Sequence, residues 1–325
     1  MTKTLRFGCS ALSLAALGLV ACGGEDGDYP DQDITFVVPF GTGGANDQIA
    51  RAFAQELEAE LDVNVNVENR EGGGATIGTS HVVNSEPDGY TIGLAAAAAL
   101  AQQPLTNDDL PYSSPEDYHV VGKIAEMPGV VAVPSDSEFD DLDAFITHAQ
   151  DNPGELQASQ AGNGTTQDLL IRELARLADT EIQSIPLAGG GQEATLAAVS
   201  GRVDATFGFA PAITSFVESE DLRVIGVVAD EQYEAFPDAQ LSADIGYDTP
   251  LRAVYYIILP NDAPEEVREQ LESATASIVD SEAMAEFSNE SGFVMEHKDH
   301  AAAVDEILEY TELYEEFNAN FDIDE

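Results

Sequence analysis

Basic residues are scarce in this chain of 325 residues. There are 12 lysines and arginines against 61 aspartates and glutamates, and the formal net charge is −49. Such a surface repels phosphate backbones and anionic lipids, so nucleic acid and a charged membrane face are excluded as partners held by charge. The acidic residues are spread along the chain, which is typical of a solvated surface adapted to high salt.

Cysteine is nearly absent, and both copies lie near the N-terminus. Two basic residues precede a short apolar run, residues 11–20, and Leu19-Val20-Ala21-Cys22 resembles a bacterial lipobox. This pattern predicts a lipoprotein signal peptide over residues 1–22. Cleavage before Cys22 would leave that residue lipidated at the new N-terminus. The mature domain would then have neither a disulfide nor a thiol nucleophile.

Long apolar runs are also missing. No later segment reaches the roughly 18 consecutive apolar residues that a membrane span requires. We therefore expect an extracytoplasmic protein whose only membrane contact is the lipid on Cys22, joined to the folded body by a polar tether over residues 23–33.

The folded part opens with a strand, a glycine-rich turn and a helix. Ile34 to Val38 forms the apolar strand, residues 41–44 form the turn, and Ile49, Phe53 and Leu57 give the helix one apolar face. The first N–H groups of a helix have no partner inside it, and its N-terminal end carries a positive partial charge. The stretch therefore predicts an anion site.

The same arrangement occurs twice more. A strand at residues 156–159 precedes a glycine turn at 162–165, and a strand at 182–186 precedes another at 189–191. Repeated strand–helix–strand units predict parallel sheets with helices on both faces and ligands at the carboxyl ends of the strands. A crossover is expected near Met127-Pro128, and Arg252 to Leu259 is expected to return as a strand to the first lobe.

These elements predict two α/β lobes joined by two crossovers, with the ligand cleft between them. Lobe 1 is expected to comprise residues 34–127 and 252–325, with a wholly helical C-terminal part, and lobe 2 residues 128–251. Hinge bending is the expected motion.

Several stretches resemble, in order, the signatures of one family. They are residues 38–51, 67–78, 87–91, 162–165, 189–190 and 201–204, and Arg252 with Pro260. Together they are similar to the tripartite tricarboxylate transporter receptors, also known as the Bug family. The resemblance implies a type II periplasmic binding-protein fold and a receptor that is not an enzyme and has no cofactor. It implies delivery of a small organic carboxylate to the large and small membrane subunits of a permease, and a monomer is expected.

The resemblance also implies where the ligand binds. One jaw would be the first glycine loop and the other the Gly-Asn-Gly-Thr loop, with no catalytic residue and no metal. Asp47 is negative and should not touch a carboxylate, so capping the helix or holding a bridging water is expected of it. The residues expected to line the site are Phe40, Gly43, Gly44, Ala45, Asp47, Ala95, Ala96, Gly162, Asn163, Gly164, Thr165, Thr166, Gly208 and Phe209.

The sequence departs from the family pattern at three places. Gly41 and Thr42 stand where many relatives have prolines, no histidine lies near Gln167, and Leu187-Ala188 stands where many have an aromatic–lysine pair. A missing cation removes a charge-assisted bond to a second acidic group. We therefore expect a monocarboxylate, an amide-bearing solute or an apolar acid rather than a di- or tricarboxylate.

Other classes of protein fit the sequence less well. Gly41-Thr42-Gly43-Gly44 followed by a strand ending at Glu68 is similar to a dinucleotide-binding unit, but the third glycine of that motif is absent. A hydrolase is disfavoured because there is no G-x-S-x-G elbow. A solute sensor that signals to a membrane kinase needs the same clamp and stays open as an alternative.

Metal sites are not predicted either. The five histidines lack H-E-x-x-H spacing, and His297 and His300 are interpreted as a solvated helix end. The acidic stretch from Asp136 to Asp143 lacks the calcium-loop pattern and is expected to cap a helix.

Overall fold

The computed structural model describes residues 29–187 and 190–320, which form two six-stranded sheets with helices packed on them. The strands are β1 (Ile34–Val38), β2 (Val65–Asn69), β3 (Thr91–Ala96), β4 (Tyr118–Met127), β5 (Gly129–Pro134), β6 (Gln157–Gln160), β7 (Gln183–Pro186), β8 (Ala205–Gly208), β9 (Leu222–Val228), β10 (Gln240–Leu241), β11 (Ala253–Pro260) and β12 (Val294–Lys298). The helices are α1 (Ala45–Leu61), α2 (Thr76–Val83), α3 (Gln103–Thr106), α4 (Leu142–Asp151), α5 (Thr166–Leu177), α6 (Gly190–Val199), α7 (Ala210–Glu218), α8 (Glu265–Val279), α9 (Glu282–Ser291) and α10 (His300–Asn320).

Both sheets are mixed, so the prediction of parallel sheets was wrong in part. The first has the order β12-β4-β11-β3-β1-β2 and the second β10-β9-β5-β8-β6-β7. Five neighbouring pairs are parallel and five are antiparallel. β11 runs antiparallel to β3 and β4, β12 to β4, and β5 to β8 and β9. The reason is that β5 and β11 follow crossovers. Each enters its sheet at the edge where the parallel strands end, and so runs the opposite way.

The two strands that flank Met127-Pro128 lie in different sheets, and β11 lies in the first sheet, as expected of the returning strand. We propose on this basis that lobe 1 comprises residues 34–127 and 252–325 and that lobe 2 comprises 128–251. The apolar face predicted for α1 is confirmed, because Ile49, Phe53 and Leu57 are buried against the first sheet.

The lobes also touch through a contact outside the two connecting segments. Tyr233 of lobe 2 is buried and donates its hydroxyl hydrogen to the carbonyl oxygen of Gly292 at the end of α9. A Cβ on Gly292 would lie 2.6 Å from that of Ala210 at the start of α7. Burial raises the pKa of Tyr233, which therefore stays a donor at neutral pH.

Four short elements were not predicted. The C-terminal part is not wholly helical, because β12 pairs with β4 as an edge strand. A π-helical turn over Ala98–Gln102 leads into α3 where the end of a strand was expected, and α7 and β10 were not foreseen. The acidic stretch does cap a helix: the Asp141 carboxylate accepts from the Ala144 N–H at 2.8 Å at the start of α4.

Candidate functional site

Two glycine loops lie at equivalent places in the lobes. The first glycine loop, residues 39–44, joins β1 to α1, and the second glycine loop, residues 161–165, joins β6 to α5. β1 is parallel to β3 and β6 is parallel to β8, so their carboxyl ends lie at the same edge of each sheet. Ala96, the last residue of β3, therefore lies beside the first loop, and Phe209, which follows β8, lies beside the second.

An aspartate one turn into α1 holds the first loop. The Asp47 carboxylate accepts hydrogen bonds at 2.9 Å from the Gly43 N–H, from Arg51 Nε and from Asn69 Nδ2. The N-cap of α1 is Gly44, which has no side chain to cap with. Asp47 therefore anchors the loop and does not cap the helix, so that part of the prediction was wrong.

The second loop is held in the same way. The Asp168 carboxylate accepts from the Gly164 N–H at 3.0 Å, from Arg172 Nε at 3.1 Å and from Ser184 Oγ at 2.6 Å. Gly43, Asp47 and Arg51 thus repeat as Gly164, Asp168 and Arg172, with successive members four positions apart in both lobes. Asn69 and Ser184, from the neighbouring strands, complete the two sets.

These carboxylates are nearly inaccessible to solvent. The Asp47 side chain is 4% exposed and that of Asp168 is 0% exposed. Burial by itself would raise the pKa of Asp47, but the hydrogen bonds from Arg51, the Gly43 N–H and Asn69 outweigh it and hold the pKa below its ordinary value. Asp47 is therefore ionised at neutral pH and fixes the loop in one shape.

These hydrogen bonds occupy some backbone N–H groups of the two loops and leave others without an acceptor. The N–H groups of Gly43 and Gly164 are engaged, and these glycines serve the loops by their left-handed φ angles of +85° and +69°. Within the described chain no acceptor faces the N–H groups of Gly44, Ala45 and Asn46 at α1, or those of Thr166 and Gln167 at α5. Two helix N-termini thus present unpaired donors, which is an arrangement suited to an anion.

Sequence reasoning missed the amide side chains beside these donors. Asn46 Oδ1 is buried and has no hydrogen-bond partner within the described chain, and Gln167 is buried next to Gly191. Gln160 accepts from the Gly162 N–H and donates to Asn163 at 3.4 Å, which orders the second loop. In the sequence, an amide after a glycine turn gives no signal that separates it from a solvated residue.

The rest of the second loop is shaped by Thr165. Its hydroxyl donates to the Gly162 carbonyl at 2.7 Å and accepts from the Asp168 N–H at 3.4 Å, which caps α5. Thr165 therefore has a structural role in addition to the site role expected of it.

The remaining candidates divide into lining and packing residues. Phe40 and Phe209 belong to different lobes, yet both are half-buried and pack against the same apolar cluster of lobe 1, as does Ala96. Ala95 is fully buried in a core cluster, and a Cβ on Gly208 would lie 3.0 Å from Ile213. Ala95 and Gly208 therefore serve packing. Cys22 lies outside the described residues.

No unpaired cation of the described residues lies at the loops. Of the 12 lysines and arginines, Lys3 and Arg6 precede the described part, and eight of the other ten are ion-paired. The other two, Arg202 and Arg268, follow α6 and lie in α8, away from the loops. A carboxylate is close instead, because a Cβ on Gly41 would lie 2.7 Å from Glu71 Oε2.

Two other cavities lie away from the loops. One, of about 470 Å³, lies beside the crossovers, and six of its ten lining residues are carboxylates, among them Glu126, Glu306 and Asp230. The other, of about 570 Å³, lies within lobe 2 around Arg223 and Phe236. The first repels anions, and neither has unpaired helix N-termini, so the loops remain the candidate site.

A comparison with known families decides the identity of the chain. The sequence model described as "Tripartite tricarboxylate transporter family receptor" matches residues 49–309. The chain belongs to the tripartite tricarboxylate transporter receptor family. In the described part of this family member, no helix is long and apolar enough to cross a membrane.

Curated relatives and solved structures agree with the family. The chain is 31% identical over 245 residues to a UPF0065 protein from Pseudomonas sp. (strain P51), covering 75% of this chain and 72% of that one. It is 29% identical over 260 residues to BugT of Bordetella pertussis, covering 80% and 79%. The structure of R. palustris Rpa4515 with adipate is 22% identical, covers 89% of this chain and 97% of that one, and has a TM-score of 0.80.

The fold of this receptor is that of a two-lobe periplasmic binding protein, as the family resemblance implied. Both sheets carry their glycine loops at the carboxyl ends of parallel strands, where this class of α/β architecture places ligands.

Proposed function

We propose that this receptor captures a small organic carboxylate between its two glycine loops and delivers it to a tripartite tricarboxylate-type permease with a large and a small membrane subunit. It does so as a binding protein and not as an enzyme. One observation carries the proposal. Each lobe holds a glycine loop with the same Gly–Asp–Arg set and leaves helix N–H groups unpaired beside it.

The unpaired donors suit one carboxylate group. Gly44, Ala45 and Asn46 would donate from lobe 1 and Thr166 and Gln167 from lobe 2, so a ligand between them stabilises the closed arrangement of the lobes. Hydrogen bonds to an ionised acceptor are about twice as strong as bonds between neutral groups. Adipate bound to Rpa4515 supports a carboxylate as the ligand class.

The charges near the loops select against a second acidic group. Arg51 and Arg172 are engaged by Asp47 and Asp168, and Glu71 adds a negative charge beside Gly41. A dicarboxylate would place its second group where no free cation of the described chain can meet it. The ligand class we propose is therefore a monocarboxylate with a neutral or apolar remainder.

The receptor is proposed to act outside the cytoplasm as a monomer. The lipobox-like sequence ending at Cys22 would tether it by a lipid. A solved structure with this fold is that of the periplasmic binding protein BugD, which supports this location.

A thermal-shift screen of the purified protein at molar salt tests the proposal. The ligands are matched mono-, di- and tricarboxylates, with their primary amides and nucleotides as controls. A ligand that binds only the folded state at 100 times its Kd stabilises it by about 2.7 kcal/mol. We expect the melting temperature to rise with monocarboxylates and not with the matched amides.

The outcomes separate the parts of the proposal. A rise with dicarboxylates alone would overturn the ligand class but keep the receptor, whereas a rise with nucleotides alone would overturn both. Delivery to a permease is tested by uptake of the labelled acid in cells that lack the receptor gene. Unchanged uptake would favour a sensor.

A further inference from the structure

Two histidines and a glutamate that are far apart in the sequence meet on lobe 1. His119 lies near the start of β4, Glu272 on α8 and His300 at the start of α10, and one ligand atom from each lies within 4.8 Å of the others. His119 pairs in register with Leu259 near the end of β11. Because β11 runs antiparallel to β3, this group lies at the edge of the sheet opposite the first glycine loop.

We propose that His119, Glu272 and His300 bind a zinc ion. Two imidazole nitrogens and one carboxylate oxygen form a donor set that zinc takes in proteins, with water in the remaining position. The site is separate from the glycine loops and is independent of the function proposed for them.

His300 has one of the supports of a metal-bound histidine, although its ring must still turn to face the ion. Its Nδ1 lies 2.8 Å from the carbonyl oxygen of Val120, a suitable acceptor for the Nδ1 hydrogen. A hydrogen bond from the far nitrogen to a carbonyl is the usual support of a metal-bound histidine, because it fixes the tautomer and the ring. The lone pair is then on Nε2, which has no partner within the described chain.

His119 and Glu272 are already in contact. His119 Nε2 lies 2.7 Å from Glu272 Oε1. Zinc entering between these atoms takes the Nε2 lone pair, and the Nε2 hydrogen moves to Nδ1.

The rings must turn to share one ion. They are stacked with centroids 4.3 Å apart and planes 9° apart, whereas an imidazole binds a metal in its own plane. His119 is 5% exposed and fixed in β4, but His300 is half-buried at a helix start, and the Glu272 side chain is 34% exposed. We expect His300 to rotate and Glu272 to move back as the ion enters.

One nearby charge opposes the ion. Arg268 lies one turn before Glu272 on α8, and its Nε is buried without a partner in the described chain. Removing this charge should therefore strengthen zinc binding, and a merely structural cluster would show no such effect.

Titration of the purified full-length protein with ZnCl2, in excess MgCl2 to occupy weak carboxylate sites, tests the site. We expect one zinc per chain, with affinity reduced about tenfold or more in His300→Ala and Glu272→Gln, as loss of a ligand or its support requires. Arg268→Gln should bind more tightly. His81→Ala and Glu269→Gln, which remove an imidazole and a carboxylate of lobe 1 outside the group, should bind as the parent does.

Cobalt gives a second readout. Co2+ in place of zinc should show the visible absorption of a four- or five-coordinate site with nitrogen ligands, and His300→Ala should abolish it. Zinc affinity unchanged in both His300→Ala and Glu272→Gln, or a Co2+ spectrum of the hydrated ion, would overturn the proposal. Both variants replace partly exposed side chains, and a melting curve for each confirms that it is folded.

Discussion

A single carboxylate, that of Asp168, holds the second glycine loop in place. It accepts from Gly164, Arg172 and Ser184 and has no exposure to solvent. Asp168→Asn keeps the shape but removes the charge and places an NH2 group against donors. We expect a loss of about 1–3 kcal/mol in the free energy of unfolding, measured in urea, and weaker ligand binding by calorimetry, because the Gly164 N–H loses its anchor.

Glu173→Gln is the matched control for that variant. Glu173 is the next acidic residue on α5, and its buried carboxylate accepts two hydrogen bonds from Arg176, which is 45% exposed. Glu173→Gln weakens this ion pair and leaves the loop anchor in place, so the variant should bind ligand as the parent does. Equal losses of binding in the two variants would argue that α5 as a whole, and not the loop anchor, matters.

The lowered pKa of Asp47 predicts that the free energy of unfolding depends on pH. Burial opposes ionisation, but the hydrogen bonds from Arg51, Gly43 and Asn69 prevail, so the folded-state pKa lies below the unfolded value of about 3.9. The stabilisation is fully present above that value and is lost as the pH falls through the folded pKa. The stability difference between the parent and Asp47→Asn should therefore shrink below about pH 4 in urea titrations; a constant difference would contradict the assignment.

At the scale of elements, the second glycine loop needs a left-handed residue at position 164. Gly164 has a φ of +69°, and Gly201, in the turn after α6, has a φ of +66° with open space around its missing Cβ. Each alanine substitution should destabilise the fold by about 1–2 kcal/mol through the backbone alone. Only Gly164→Ala should also reduce ligand binding, since only Gly164 belongs to a loop of the proposed site. Isothermal titration of both variants measures this, and normal binding by Gly164→Ala would remove the second loop from the site.

Elements with strong local signals were predictable, and those set by distant partners were not. The strand, turn and helix around Gly44 followed from apolar periodicity and glycine. β12 did not, because Val294–Lys298 is a short, polar edge strand whose one neighbour is β4. For the same reason His297 was misread as part of a solvated helix end, whereas it lies in β12 with a buried Nε2.

The candidate site, like the fold, was predictable where local signals are strong and not where distant partners decide. The glycine turns were predicted from the residues themselves, whereas Asp47 and the division into two jaws were implied by the family resemblance. The partners Asn69 and Ser184 were not found, because they arrive from neighbouring strands. The stacking of His119 on His300 joins β4 to α10, and nothing local in either segment indicates the other.

At the scale of the whole molecule, charge dominates. With a net charge of −49, the folded chain repels itself, and salt screens this repulsion with a Debye length of about 10 Å at 0.1 M and about 3 Å at 1 M. We expect the melting temperature to rise from low salt to molar salt with NaCl and KCl alike. A melting temperature independent of salt would contradict adaptation of the surface to high salt.

The hydrogen bond from Tyr233 to Gly292 joins the lobes without touching the glycine loops. Such a bond affects how long a solute stays bound and not which solute binds. If a bound solute leaves only when the lobes separate, every bond between the lobes lengthens its residence, whatever the solute. Under the proposed delivery to a permease, a longer residence keeps the ligand bound until the permease is met, and a change at this contact would alter that time without altering which ligand binds.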